Sequence, residues 1–207
     1  MCGIAGSSNF NKAFEFYKTN LPRGYYSSGG IVVRGNTWNT YKTLGLYEKP
    51  FGEPNQDFYL YHSRGPTTET KEYNPINNHP FFYGDWIVAH NGIISNFEDL
   101  GKKYFPEEDF TIKTDSCIVP RMLSIKPMKE ALEELKGTFA LWMWNRSSGA
   151  LYICRSANTL FANFINGDFC STQFEKSEPL EEGFIYTVNN KIVKEEKFIS
   201  NSPYFVF

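Results

Sequence analysis

Residues 1–6 read Met1-Cys2-Gly3-Ile4-Ala5-Gly6. A cysteine directly behind the initiator methionine has two readings. One is chance composition at a frayed terminus. The other is that Met1 is cleaved, so that Cys2 becomes the first residue and carries a thiol nucleophile and a free α-amine together. A small side chain at position 2 favours that cleavage. An α-amine with an ordinary pKa of about 8 can take the thiol proton itself, so no separate histidine base is needed. This suits a chain with only 3 histidines.

The bulk properties limit the alternatives. At 207 residues the chain is long enough for one domain with a sizeable core, and residues 1–207 read as a single domain. The net charge is -2 and charges of both signs are scattered evenly, so neither nucleic acid nor an anionic membrane is an expected partner. Small neutral or zwitterionic substrates remain. No apolar run approaches the roughly 20 residues of a membrane span and no secretory signal is visible, so the expected location is the cytoplasm. The cysteines at 2, 117, 154 and 170 form no C-x-x-C pair and have no histidines at zinc-like spacing. No metal, cofactor or disulfide framework is therefore expected, and Cys154 and Cys170 read as small core residues.

Working outward, residues 11–20 predict a helix stopped by Pro22. Strand-like runs follow at 30–35, 37–44, 58–64 and 85–92. Asn96 and Asp115 read as caps of two short helices, the second with Pro120 early in it, and Pro127 opens a third over 127–136. Strands return at 138–145 and 149–155, and Asn189-Asn190 reads as the turn of a terminal hairpin. Strands, then helices, then strands predict an α+β domain with helices covering antiparallel sheets.

Four polar stretches sit at the ends of these runs, where loops carry function: "RGYYSSGG" (23–30), "HSRGPTTE" (62–69), "VAHNGIISNFEDL" (88–100) and "KTDS" (113–116). Taken singly, each reads as an ordinary turn, strand end or helix cap. Taken together, and in this order behind Cys2, they resemble the class II glutamine amidotransferase domain, an N-terminal-nucleophile hydrolase. The resemblance is carried by Cys2-Gly3-Ile4-Ala5-Gly6, Arg23-Gly24-Tyr25 with Ser27-Ser28-Gly29, His62-Ser63-Arg64 with Pro66-Thr67, His90-Asn91-Gly92 with Asn96, and Thr114-Asp115-Ser116.

The resemblance implies a four-layer αββα sandwich, two stacked antiparallel sheets flanked by helices, with Cys2 at the end of the first strand. It implies Cys2 as nucleophile, the Asn91 side-chain amide and Gly92 N–H as oxyanion donors, and Arg23 as the residue that orders the N-terminal segment. Arg64 would take the α-carboxylate of L-glutamine in a two-pronged contact that lysine cannot reproduce. Thr67 would help to seat that carboxylate, and Asp115 would hold the α-ammonium. His90, beside the oxyanion residues, is grouped with the substrate-binding side, although a structural role suits both His90 and His62. His79 reads as surface loop.

Several positions depart from the family pattern. Tyr26 stands where an acidic residue is frequent, and Gly65 where a bulky aromatic occurs in some branches. Thr68-Glu69 and Cys117 also differ, and Tyr73 or Phe81 is left to shield the substrate. The family usually continues into a synthase domain, whereas this sequence stops at "NSPYFVF" without a phosphate-binding glycine loop. The expected reaction is hydrolysis of L-glutamine to glutamate and ammonia through a Cys2 thioester, with the ammonia passed to an acceptor on a separate synthase-like protein. Two other readings stand beside it: hydrolysis of another γ-glutamyl amide, and a silent glutamine-binding or assembly subunit.

Overall fold

The computed structural model describes residues 1–65, 74–110 and 113–202. Its strands form two antiparallel sheets. The first contains β1 (Gly3–Ser7), β2 (Ser27–Arg34), β3 (Thr37–Leu44), β4 (Phe58–Arg64), β9 (Phe161–Asn163), β10 (Asp168–Cys170) and β11 (Glu178–Pro179), in the order β11-β9-β10-β1-β4-β2-β3. The second contains β5 (Phe81–Tyr83), β6 (Trp86–Ile94), β7 (Gly137–Asn145), β8 (Ala150–Ser156), β12 (Phe184–Asn189) and β13 (Lys191–Lys197), in the order β13-β12-β8-β7-β6-β5. The helices are α1 (Phe10–Asn20), α2 (Phe97–Tyr104), α3 (Ile118–Ile125) and α4 (Met128–Glu133).

Three buried apolar clusters establish the layers. Ile4, Ile31, Leu60, Ala89, Trp142 and Ile153 fill the space between the sheets. Ala13, Phe14, Phe16 and Tyr17 of α1 pack on Tyr59 and Tyr61 on the outer face of the first sheet. Ile118, Met122, Leu132 and Leu135 pack with Val88, Leu141 and Cys154 on the outer face of the second. The fold is thus the expected αββα sandwich. Its central strands β2, β4 and β7 are buried on both faces, which explains why they read as near-continuous buried runs. The edge strands β3 and β13 are largely exposed.

The local sequence accounts for the main elements. Asn9 caps α1, its side-chain oxygen accepting from Lys12 N at 3.0 Å. In β6 the two-residue period sends Ile87 and Ala89 between the sheets and Val88 toward the helices. Pro120 lies in the first turn of α3, where no intrahelical N–H is missed. Cys154 and Cys170 are fully buried, as expected.

Some boundaries move. β2 starts at Ser27 and β6 runs on to Ile94, so Asn91 and Gly92 lie within a strand and not at its end. The helix expected over 127–136 stops at Glu133, before β7 begins at Gly137. Asn96 precedes α2, but its side chain spans to the α4 end, donating to Glu134 O and accepting from Lys136 N at 2.9 Å each. Phe81 is core, packed among Ile118, Met122 and their neighbours, so it is not free to close over a substrate. Thr67, Thr68-Glu69, Tyr73 and the tail Tyr204–Phe207 lie outside the described residues.

Candidate active site

The sheet registers converge on one end of the sandwich. Cys2 directly precedes β1, a central strand of its sheet. Antiparallel pairing of Gly3 with Ser63, and of Ser27 with Arg64, brings the C-terminal end of β4 alongside it. The facing sheet contributes the distal half of β6. There a cavity of about 460 Å³ opens, lined by Cys2, Arg64, Gly65, His90, Gly92 and Asp115 among others.

Cys2 is partly buried, and its Sγ lies 3.7 Å from Gly65 O. Burial pushes the thiol pKa up, while a Gly65 backbone contact, the N-terminal ammonium and Arg64 pull the other way. Arg23, in a short 3-10 turn after α1, donates from Nε to Cys2 O at 2.9 Å and so fixes the residue behind the thiol. Burial lowers the Arg23 pKa.

Arg64 is 6% exposed. Its Nη1 donates to Asn77 O at 2.7 Å and its guanidinium lies over the Tyr26 ring at 5.9 Å. Tyr26, which replaces an acidic residue of the family pattern, thus supports the cation through its ring face. Among the described residues no carboxylate lies within ion-pair distance of Arg64. Its charge has thus given up water for one carbonyl and one ring face, with no anionic partner among the described residues.

Asp115 sits across the cavity in a short 3-10 turn before α3. Its Oδ2 accepts from Ile94 N and its Oδ1 from Ser116 N, both at 2.8 Å. These bonds orient the carboxylate. A guanidinium at the end of β4 and an oriented carboxylate in a 3-10 turn therefore face one space.

Gly92 has φ 144°, and a Cβ there would lie 2.0 Å from Thr138 O on the paired strand, so only glycine fits. Asn91 points between the sheets and does not line the cavity. Its Nδ2 lies 3.4 Å from both Asn158 Oδ1 and Ser171 Oγ, long separations that leave the donor weakly engaged. Asn158 in turn donates to Asn91 O at 2.8 Å, and Ser171 Oγ accepts from Ile4 N at 3.0 Å. Asn158 and Ser171 bracket the amide, and neither stands out in the sequence.

The three histidines form one buried group behind the cavity. His90 is held between Ser116 Oγ at 2.9 Å and Thr138 O at 3.4 Å. Burial lowers its pKa although Asp115 acts to raise it. His62 Nε2 lies 3.1 Å from His90 O. His79 is not surface loop: it is 4% exposed, stacks on His62 and lines the cavity. The available signal was Phe81 two residues further on, which is buried in the core and packs edge-on against the His79 ring. Among the described residues no group of three or more His, Cys, Asp and Glu is placed to hold a metal ion. No helix among them is long and apolar enough to cross a membrane.

An αββα sandwich with a cysteine thiol at the mouth of its central strand is the architecture of N-terminal-nucleophile amide hydrolases. Comparison with known proteins sharpens this. Residues 71–172 match the model of the glutamine amidotransferase domain. The chain is 26% identical over 214 residues to a glutamine--fructose-6-phosphate aminotransferase of Helicobacter pylori, covering 93% of this chain and 36% of that protein. It is 32% identical over 165 residues to a 7-cyano-7-deazaguanine synthase of Saccharolobus solfataricus, covering 68% of this chain and 35% of that one. Among solved structures, a glutamine phosphoribosylpyrophosphate amidotransferase from B. subtilis superposes with a TM-score of 0.75 at 15% identity, over 94% of this chain and 49% of that one. The chain is thus similar to class II glutamine amidotransferase domains, in sequence over residues 71–172 and in fold over nearly its whole length. It spans about a third of the length of the curated relatives it matches.

Proposed function

We propose that this domain hydrolyses the side-chain amide of L-glutamine with Cys2 as nucleophile, after loss of Met1. The observation that carries the reading is the lining of one cavity by Cys2, by Arg64, which has no carboxylate partner among the described residues, and by the oriented Asp115. Arg64 binds the substrate α-carboxylate and Asp115 the α-ammonium, which leaves the γ-carboxamide to reach Cys2. The freed Cys2 amine takes the thiol proton, and Sγ attacks the amide carbon. Gly92 N–H and the Asn91 amide, after a small rotation away from Ser171, stabilise the oxyanion. The amine then delivers its proton to the leaving nitrogen, so that ammonia departs and a γ-glutamyl thioester remains. Water, deprotonated by the same amine, releases glutamate and restores the thiol.

Residues 1–207 act in this reading as one glutaminase unit, and the ammonia passes to an acceptor on a separate synthase-like partner. The names of the curated relatives, an aminotransferase and a synthase, support acceptor chemistry located outside the part that this chain matches. The protein works in the cytoplasm and without a cofactor. Mass spectrometry of the purified chain, followed by glutamate release from glutamine, tests the proposal. Chains lacking Met1 that release no glutamate, alone or with co-purifying partners, sink it.

A further inference from the structure

The Gly92 N–H belongs to the same peptide unit as the Asn91 carbonyl. That unit is planar, with the two groups pointing in opposite directions. An N–H presented to the cavity therefore places its carbonyl on the far side, where something must hold it. Asn158 does so: its Nδ2 donates to Asn91 O at 2.8 Å. The other end of the same amide, Oδ1, lies 3.4 Å from Asn91 Nδ2. One side chain thus touches both groups that the mechanism above assigns to the oxyanion.

The turn that carries Asn158, between β8 and β9, is itself held in an unusual form. Ala157 has φ 46°, a left-handed conformation uncommon for a residue other than glycine. Such conformations persist only where their surroundings enforce them, and they cluster at functional sites. Here Glu182 Oε1 accepts from Ala157 N at 2.7 Å, and Arg155 Nη1 donates to Asn158 O at 3.0 Å. Asn158 Oδ1 accepts from Thr159 N at 2.8 Å, which fixes the amide with its Nδ2 on Asn91 O.

Resting on the Cys2 reading, we infer that Asn158 is a positioning residue of the oxyanion site, which orients the 91–92 peptide and strengthens Gly92 N–H as a donor. A hydrogen bond accepted by a carbonyl polarises its peptide, so the N–H on the opposite side binds a negative oxygen more strongly. Asn158 acts through Asn91 and Gly92 and does not line the cavity. Its contribution belongs to the transition state, where the substrate oxygen carries charge, while Arg64 and Asp115 bind the ground state.

The test uses the full chain with Met1 loss confirmed by mass. A glutamine-mimicking diazoketone, reacted to end point, counts intact sites through labelling of Cys2, and glutamate release from L-glutamine is expressed per labelled site. Asn158→Ala removes the bond to Asn91. Asn158→Asp is isosteric and keeps the acceptor for Thr159 N–H, but sets a carboxylate oxygen against Asn91 O. We expect kcat per labelled site to fall by about tenfold in Asn158→Ala and about 100-fold in Asn158→Asp, with KM within about twofold of wild type. A purely structural role would lower the labelled fraction and leave kcat per labelled site unchanged, and that result overturns the inference. A raised KM at constant kcat overturns it too, because it moves Asn158 to ground-state binding. Where Asn158→Ala fails to fold, Asn158→Asp decides alone. A wild-type chain that lacks Met1 and is neither labelled nor active is a different outcome: it sinks the Cys2 reading, and the inference with it.

Discussion

His62 and His79 stack with ring centroids 3.7 Å apart beneath the cavity, and His62 Nδ1 and both ring nitrogens of His79 lack a hydrogen-bond partner among the described residues. Burial pushes the His62 pKa down to about 3 and that of His79 well below its ordinary 6.5, and His90 is lowered as well. All three imidazoles are thus neutral in the folded protein over the physiological range. Unfolded, each accepts a proton near pH 6.5, so the unfolded state binds more protons once the pH drops below that value. Stability is full above pH 6.5 and is lost as the pH falls toward the folded values, by up to about 1.4 kcal/mol per pH unit for each histidine. The urea midpoint should therefore fall clearly between pH 7.5 and pH 5, and His79→Gln should flatten that dependence. Equal midpoints at the two pH values would contradict this account of the stack.

Arg64 provides a binding prediction. It lines the cavity with no carboxylate partner among the described residues, so a substrate carboxylate would gain a desolvated, two-pronged partner. Arg64→Lys keeps the charge but not the fork. It should raise KM for glutamine by about 10- to 100-fold, the equivalent of roughly 1.5–3 kcal/mol for a hydrogen bond to a charged group, with a smaller change in kcat. A fall in kcat at constant KM would move Arg64 from substrate binding to support of the nucleophile.

Gly92 predicts a loss of another kind. A Cβ at position 92 meets Thr138 O at 2.0 Å, in a backbone conformation at φ 144° that L-residues rarely adopt. Gly92→Ala must push β6 away from β7 at the residue whose N–H is assigned to the oxyanion. The expected result is a kcat lowered by about 100-fold or more, the range for losing one oxyanion donor. A folded Gly92→Ala variant with wild-type kcat would remove the backbone of residue 92 from the oxyanion site.

Much of this was legible because the strongest signals are local. β3 and β4 keep their expected bounds at 37–44 and 58–64, since aromatic and β-branched runs between turn residues leave few alternatives. Cys2, Arg64, Gly92 and Asp115 lie in motifs and meet in one cavity. The short strands β9, β10 and β11 carry no periodicity of their own and exist through pairing with β1 and with one another. His79 was misplaced for a related reason. Whether a polar loop residue lies on the surface or beneath a sheet depends on what packs over it, here His62 and Phe81, which are remote from one another in the pattern. The inward rotation of Asn91 could not be read either, because its partners Asn158 and Ser171 lie far along the chain.

Asp115 combines a structural and a chemical task, and one substitution separates them. Its Oδ2 accepts from Ile94 N, its Oδ1 accepts from Ser116 N and, at 3.3 Å, from Ser116 Oγ, and His90 Nδ1 lies 3.9 Å away. Asp115→Asn preserves size but turns one acceptor into a donor, so the amide faces either Ile94 N–H or Ser116 N–H with a hydrogen of its own. One of those bonds is lost, at a stability cost of about 1–3 kcal/mol. The substrate α-ammonium also loses its negative partner, which should raise KM for glutamine by at least about tenfold, or 1.4 kcal/mol. The two effects part company with a substrate that lacks the α-amine, such as 4-carbamoylbutanoate. Asp115→Asn should leave kcat/KM for that compound much closer to wild type than for glutamine, measured at a temperature where both proteins are folded. Equal losses on both substrates would assign Asp115 to loop structure alone.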